Sequence, residues 1–157
     1  MGVFTNPPEG SYRGVAVADP SNLIAELNEA NNTGSVPLTI TKPDLTVTGL
    51  TTAFSAGGKP GTKDVSLQAT VANVGTASAV NVQVGFAFSG DGGATFTNIG
   101  GPVSAGTIAA GGSAVATTTW RNVSPGTYLV RVTADPGKLI SESNEANNSS
   151  TFPVTVP

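Results

Sequence analysis

One passage occurs twice in this chain. Asp19-Pro20, Leu23-Ile24, Glu26 and Asn28-Glu29-Ala30-Asn31-Asn32 return as Asp135-Pro136, Leu139-Ile140, Glu142 and Asn144-Glu145-Ala146-Asn147-Asn148, each 116 positions later. The register continues without a gap to Gly10 and Gly126, Tyr12 and Tyr128, Pro37 and Pro153. Sixteen of the 38 residue pairs between 3–40 and 119–156 are identical. A fixed period of this kind restricts the fold to copies of one unit. Residues 42–157 read as a complete unit and residues 1–41 as the C-terminal part of a preceding one, which predicts an array longer than the chain.

Composition removes several function classes. Charged residues are 11% of the chain and the formal net charge is −3, so there is no basic field to attract phosphate backbones or anionic lipid. Nucleic acid is therefore not an expected partner. Histidine and cysteine are both absent, which takes away the usual general base, the commonest transition-metal ligands, thiolate nucleophiles and disulfides. The apolar runs are too short to span a bilayer, so no membrane insertion is expected.

The patterning is that of strands. Val65, Leu67, Ala69 and Val71 alternate with milder residues, as do Val82, Val84, Phe86 and Phe88, and later Tyr128, Val130, Val132 and Ala134. Breaks fall at Ala56-Gly57-Gly58-Lys59-Pro60-Gly61, Asn73-Val74-Gly75-Thr76-Ala77-Ser78, Ser89-Gly90-Asp91-Gly92-Gly93, Gly100-Gly101-Pro102 and Ala109-Ala110-Gly111-Gly112. A return strand is expected over 94–99. About seven short strands without a long amphipathic helix predict an all-β, immunoglobulin-like or fibronectin-like antiparallel sandwich. The one helical candidate is a turn around Leu139 to Ala146. Tyr128, two residues after Gly126, has the placement of a tyrosine corner. Residues 10–19 and 35–41 supply two closing strands to the N-terminal piece, with no sheet of their own to join.

Four separated passages carry a family resemblance. Pro43-Asp44-Leu45-Thr46-Val47, Val71-Ala72-Asn73-Val74-Gly75-Thr76-Ala77, Ile108-Ala109-Ala110-Gly111-Gly112-Ser113 and Asp135-Pro136 through Asn147-Asn148 resemble, in that order, the CARDB domain, a cell-adhesion-related repeat of bacteria and archaea. The resemblance covers residues 43–156. It implies a sandwich used in tandem on secreted or surface-attached prokaryotic proteins, and it assigns no catalytic residue and no ligand.

Oxygen donors gather in one place. Asp135, Glu142, Asn144 and Glu145, followed by Asn147 and Asn148, are the residue types a hard cation such as calcium takes. The competing reading makes them turn architecture: Asp135 opens a turn with Pro136, Asn144 and Glu145 cap backbone donors, and Asn147 or Asn148 adopts a left-handed conformation. The order of an EF-hand loop is missing, which favours the structural reading. Ser89-Gly90-Asp91-Gly92-Gly93-Ala94-Thr95-Phe96 resembles an Asp-box hairpin, itself a folding device. Trp120, Phe96, Tyr128 and Phe152 form a sugar platform only if exposed and coplanar. Without histidine, a serine or threonine nucleophile has only lysines as base, and Glu142 and Glu145 do not face one another across a cleft. The chain reads as a non-enzymatic extracellular spacer or adhesion module whose partners are neighbouring repeats. Two alternatives remain: an accessory domain of an extracellular hydrolase that touches a glycan or surface protein, and a subunit that self-associates through residues 3–41.

Overall fold

The computed structural model describes residues 5–157, so residues 1–4 of the N-terminal piece lie outside the described residues. The chain divides into two compact units, Met1–Thr41 and Lys42–Pro157.

The C-terminal unit is a two-layer sandwich. One layer has strand order β3 (Leu45–Ala56), β4 (Lys63–Asn73), β8 (Ser113–Val123). The other runs β10 (Ser149–Val156), β9 (Gly126–Ala134), β5 (Ala79–Ser89), and the far edge of β5 is shared by β6 (Thr97–Asn98) and β7 (Val103–Ile108). Every pairing is antiparallel. Side chains alternate across a strand, so Val65, Leu67, Ala69 and Val71 of β4 all face inward with no exposed surface. They meet Val82, Val84 and Phe86 of β5 and Val130, Val132 and Ala134 of β9. Phe88, Trp120 and Tyr128 close one end of this core, partly buried against it.

Two local readings change. The return strand expected over 94–99 shrinks to the two residues of β6, and β7, which the sequence did not announce, supplies the remaining edge. Its pattern is obscured because Gly106 sits at a left-handed φ of +75° where the β5–β7 register shifts. No helical turn forms around Leu139 to Ala146.

The N-terminal unit is a hairpin of β1 (Gly10–Val17) and β2 (Thr33–Ile40), with a 3-10 turn at Glu29–Asn31. Its strand register is that of β9 and β10 displaced by 116 residues: Gly10 faces Ile40 as Gly126 faces Val156, and Val17 faces Thr33 as Thr133 faces Ser149. The repeat extends to side-chain detail. Tyr12 donates to Pro8 O at 2.9 Å and Tyr128 to Ser124 O at 3.0 Å, the tyrosine-corner bond in both copies. Asp19 and Asp135 have φ of 38° and 41°. Among the described residues β1 pairs only with β2, so Val36 (62% exposed) and Leu38 (43%) remain in solvent, whereas Val154, the counterpart of Leu38, is buried.

Candidate functional site

The connection between β9 and β10, residues 135–148, holds the predicted donors, and three of them accept from backbone amides within the connection itself. Asp135 Oδ2 accepts from Ile140 N at 2.7 Å. Asn144 Oδ1 accepts from Ala146 N at 3.0 Å, and Glu145 Oε1 from Glu142 N at 3.2 Å. The first copy repeats all three, with Asp19 on Ile24, Asn28 on Ala30 and Glu29 on Glu26. These short-range bonds therefore form with or without a sandwich behind them, and they fix the connection as a self-supporting loop. The left-handed residues are Asp135 and Lys138, in place of the expected Asn147 or Asn148. A short oxygen-bearing side chain relieves the strain at Asp135, but Lys138 has no such means.

Glu142 does something the local pattern does not reveal. It is 6% exposed, its Oε2 accepts from Leu45 N at 2.5 Å, and its Oε1 accepts from Asn148 Nδ2 at 2.7 Å. It thus joins the closing connection to the first strand of the unit, 97 residues away. Four further bonds run beside it. Lys42 Nζ donates to Ser141 Oγ at 3.2 Å, Ser143 N to Pro43 O at 2.9 Å, Asn147 Nδ2 to Asp44 Oδ1 at 2.7 Å, and Ser150 Oγ to Val47 O at 3.1 Å. The two ties Asp44–Asn147 and Val47–Ser150 share one sequence offset, 103. β3 and β10, which belong to opposite sheets, therefore start at the same end and run in the same direction.

Asn73 braces this seam from below. It is fully buried and uses its whole amide: Oδ1 accepts from Asp44 N and Gly75 N, both at 3.1 Å, and Nδ2 donates to Ala77 O at 2.8 Å and Ile108 O at 3.0 Å.

Electrostatically the seam is acidic. Burial, with lesser repulsion from Glu145 and Asp135, pushes the Glu142 carboxyl above its ordinary pKa, although the Leu45 amide and Asn148 pull the other way. A carboxyl raised by folding favours the folded unit when protonated. That contribution is complete below the unfolded value of about 4.3 and disappears as pH rises through the folded value. The stability difference between the wild type and Glu142→Gln should accordingly shift in favour of the wild type as pH falls from 7 towards 4. Urea unfolding at a series of pH values checks this, and a pH-independent difference would contradict it.

Asp135, Glu142, Asn144 and Glu145, the expected cation donors, each accept a backbone N–H in this structure. Among the described residues no group of three or more His, Cys, Asp or Glu could hold a metal. What the seam does leave open are two buried oxygens, Asn147 Oδ1 and Asn148 Oδ1, which accept no hydrogen bond.

The other candidates resolve as structure. Ser89 Oγ and Thr95 Oγ1 donate to Asp91 at 2.6 and 2.5 Å, and Gly93 N donates to Ser89 Oγ at 2.8 Å, so the Asp-box closes on itself. The Ser89 hydroxyl first, then Thr95, holds the Asp91 carboxyl far below the usual range. Phe88, Trp120 and Tyr128 pack with interplanar angles of 33°, 77° and 80°, giving no coplanar platform. Phe96 lies under the Arg131 guanidinium, 4.1 Å from the ring centre.

The family model for CARDB matches residues 42–152. Among solved structures, a CARDB domain from Pyrococcus furiosus, determined in complex with di-metal ions, is 26% identical over 76% of this chain and 93% of its own, with a TM-score of 0.56. A domain of a putative cell surface protein from Methanosarcina acetivorans is 21% identical over 74% of this chain and 93% of its own, also at 0.56, and shows the fold. No curated protein matches the chain. With its sandwich and more than half its length under one family model, the chain belongs to the CARDB family.

Proposed function

We propose that the C-terminal unit is a non-enzymatic spacer of a secreted or cell-surface protein, used in tandem with neighbouring repeats and able to carry tension along the chain. The observation behind this reading is the seam of five bonds between residues 42–47 and 141–150. Because β3 and β10 run in the same direction, the chain enters the unit at one end and leaves at the other, roughly 26 Å along for an eight-residue strand. Pulling on the two ends loads those bonds in shear, all at once. A spacer needs that geometry, and a catalytic domain does not.

Stretching single molecules by their ends tests it. The C-terminal unit should unfold in one event, and Glu142→Ala, which removes the bonds to Leu45 N and Asn148, should lower the unfolding force clearly. Equal forces in wild type and variant would overturn the reading.

The di-metal ions of the Pyrococcus domain, together with the two unpaired amide oxygens beside Glu142 and Asp44, favour a second reading in which a hard cation such as calcium reinforces the same seam. Asn147, Asn148, Glu142 and Asp44 would hold it, as oxygen donors of the kind calcium takes. Repeating the pull in calcium and in chelator separates the two. A force that rises in calcium supports the cation, and the same force in both leaves the protein's own bonds as the whole seam.

A further inference from the structure

The outer face of the five-stranded layer contains a cavity of about 400 Å³. Its origin is a break in the edge ladder. β7 pairs with β5 up to Val84 and β6 begins only at Ala87, and the passage between them, Ile99 to Pro102, leaves the sheet after one bond, Ile99 N to Phe86 O at 2.8 Å. Gly100 takes a left-handed φ of +69° to make that departure. The floor is Gly85, where a Cβ would come within 3.3 Å of Pro136 Cγ, so a side chain there would press on the neighbouring wall.

The polar groups around this floor are Arg131, Thr133, Ser149 and Asn98. Arg131 is the only charged residue in the lining, in a protein whose net charge is −3. Among the described residues its guanidinium makes no ion pair. It lies over the Phe96 ring, a contact that uses none of its N–H donors and leaves them for another partner. Ser149 Oγ donates to Val132 O at 3.1 Å and lies 3.0 Å from Thr133 Oγ1, so the Thr133 hydroxyl is left with free acceptor capacity. Asn98 adds both a donor and an acceptor.

We infer that this cavity binds a uronate residue of an acidic glycan, with the sugar carboxylate on the Arg131 guanidinium and ring hydroxyls on Thr133 and Asn98. The planar guanidinium fork matches a carboxylate with two parallel bonds. The floor at Gly85 carries no side chain, so the face of a pyranose ring can lie against the backbone there. The volume lies within the range of small-ligand sites. The N-terminal hairpin makes the contrast: Val15 and Val17 stand where Arg131 and Thr133 do, so that copy lacks the chemistry.

The test is titration of the isotope-labelled whole chain by NMR with oligoglucuronate, with a neutral glucose oligomer and with a short acidic peptide. Oligoglucuronate should shift the amides of Gly85, Gly100, Gly101 and Thr133, with the glucose oligomer and the peptide at least tenfold weaker. Arg131→Ala should weaken uronate binding at least tenfold, and Arg131→Lys should recover only part of it, since an ammonium lacks the fork. Thr133→Val provides a second variant that keeps the charge and should weaken binding severalfold. No shift with oligoglucuronate, equal binding of the glucose oligomer, preference for the peptide, or shifts that survive Arg131→Ala would each overturn the assignment.

Discussion

Asn73→Ala should destabilise the C-terminal unit by about 4 kcal/mol, because a buried partner left unpaired costs roughly 1–3 kcal/mol and four partners, one buried and three partly buried, lose their bond together. Water entering the gap would recover part of the loss, which keeps the expected figure below the simple sum. In a unit of this size the midpoint should fall by roughly 15 °C, at about 4 °C for each kcal/mol. Asn73 connects three places at once: the entering strand at Asp44, the turn at Gly75 and Ala77, and the end of β7 at Ile108. Its own backbone is bound as well, through Gly112 O and Gly111 N, both at 2.9 Å. Calorimetry checks the result. A loss below about 1 kcal/mol would mean that the amide is replaceable and the seam is held elsewhere.

The second large effect is expected at Gly75. A Cβ there would lie 2.5 Å from both Asp44 N and Lys42 O and 2.6 Å from Pro43 C, all of them backbone atoms that cannot swing aside. Gly75→Ala must therefore push the entering segment away. That breaks Val74 N to Asp44 O (2.8 Å) and Thr76 N to Lys42 O (2.9 Å), and it strains the Glu142 bond to Leu45. We expect about 3 kcal/mol, at the upper end of what overpacking costs. Amide exchange distinguishes this local eviction from a general loosening. Leu45 N should lose protection first while the β4–β8 ladder keeps it, and uniform loss across both would contradict the mechanism. Because both substitutions act on one segment, the double variant should cost less than the two added together.

Much of this was legible in the residues, and what was not follows a pattern. Strand β4 could be read from Val65 to Val71, and extending the same alternation by one step reaches Asn73. The composition around it, Asn-Val-Gly, reads as a turn, and that hides the residue that closes the core, two positions beyond Val71. The Asp135, Asn144 and Glu145 bonds to backbone amides were readable because they act within five residues. Glu142 was not, because its partner is the amide of Leu45, and backbone groups leave no mark on a sequence. β7 was hidden for a different reason: its edge position leaves Ser104, Gly106 and Thr107 in solvent, and alternation fades where one strand face has little to bury. Arg131 looked like an ordinary outward residue of β9, and nothing in its neighbours predicts that the facing edge would open beside it.

The two hairpins in register also bear on folding. Their turn bonds are local and alike, so both can form early, before any pairing between distant strands, and both then present the same edge to which β5 belongs. Competition of this kind leads repeat proteins to misassemble. The choice falls to the inward positions, where Gly14 and Ala16 stand in place of Val130 and Val132, two residues with no exposed surface. A hairpin with those smaller residues seated against β5 would leave a void five carbon atoms large, a penalty of about 4 kcal/mol. The divergence between the copies thus acts as an address, and it reserves the place beside β5 for β9.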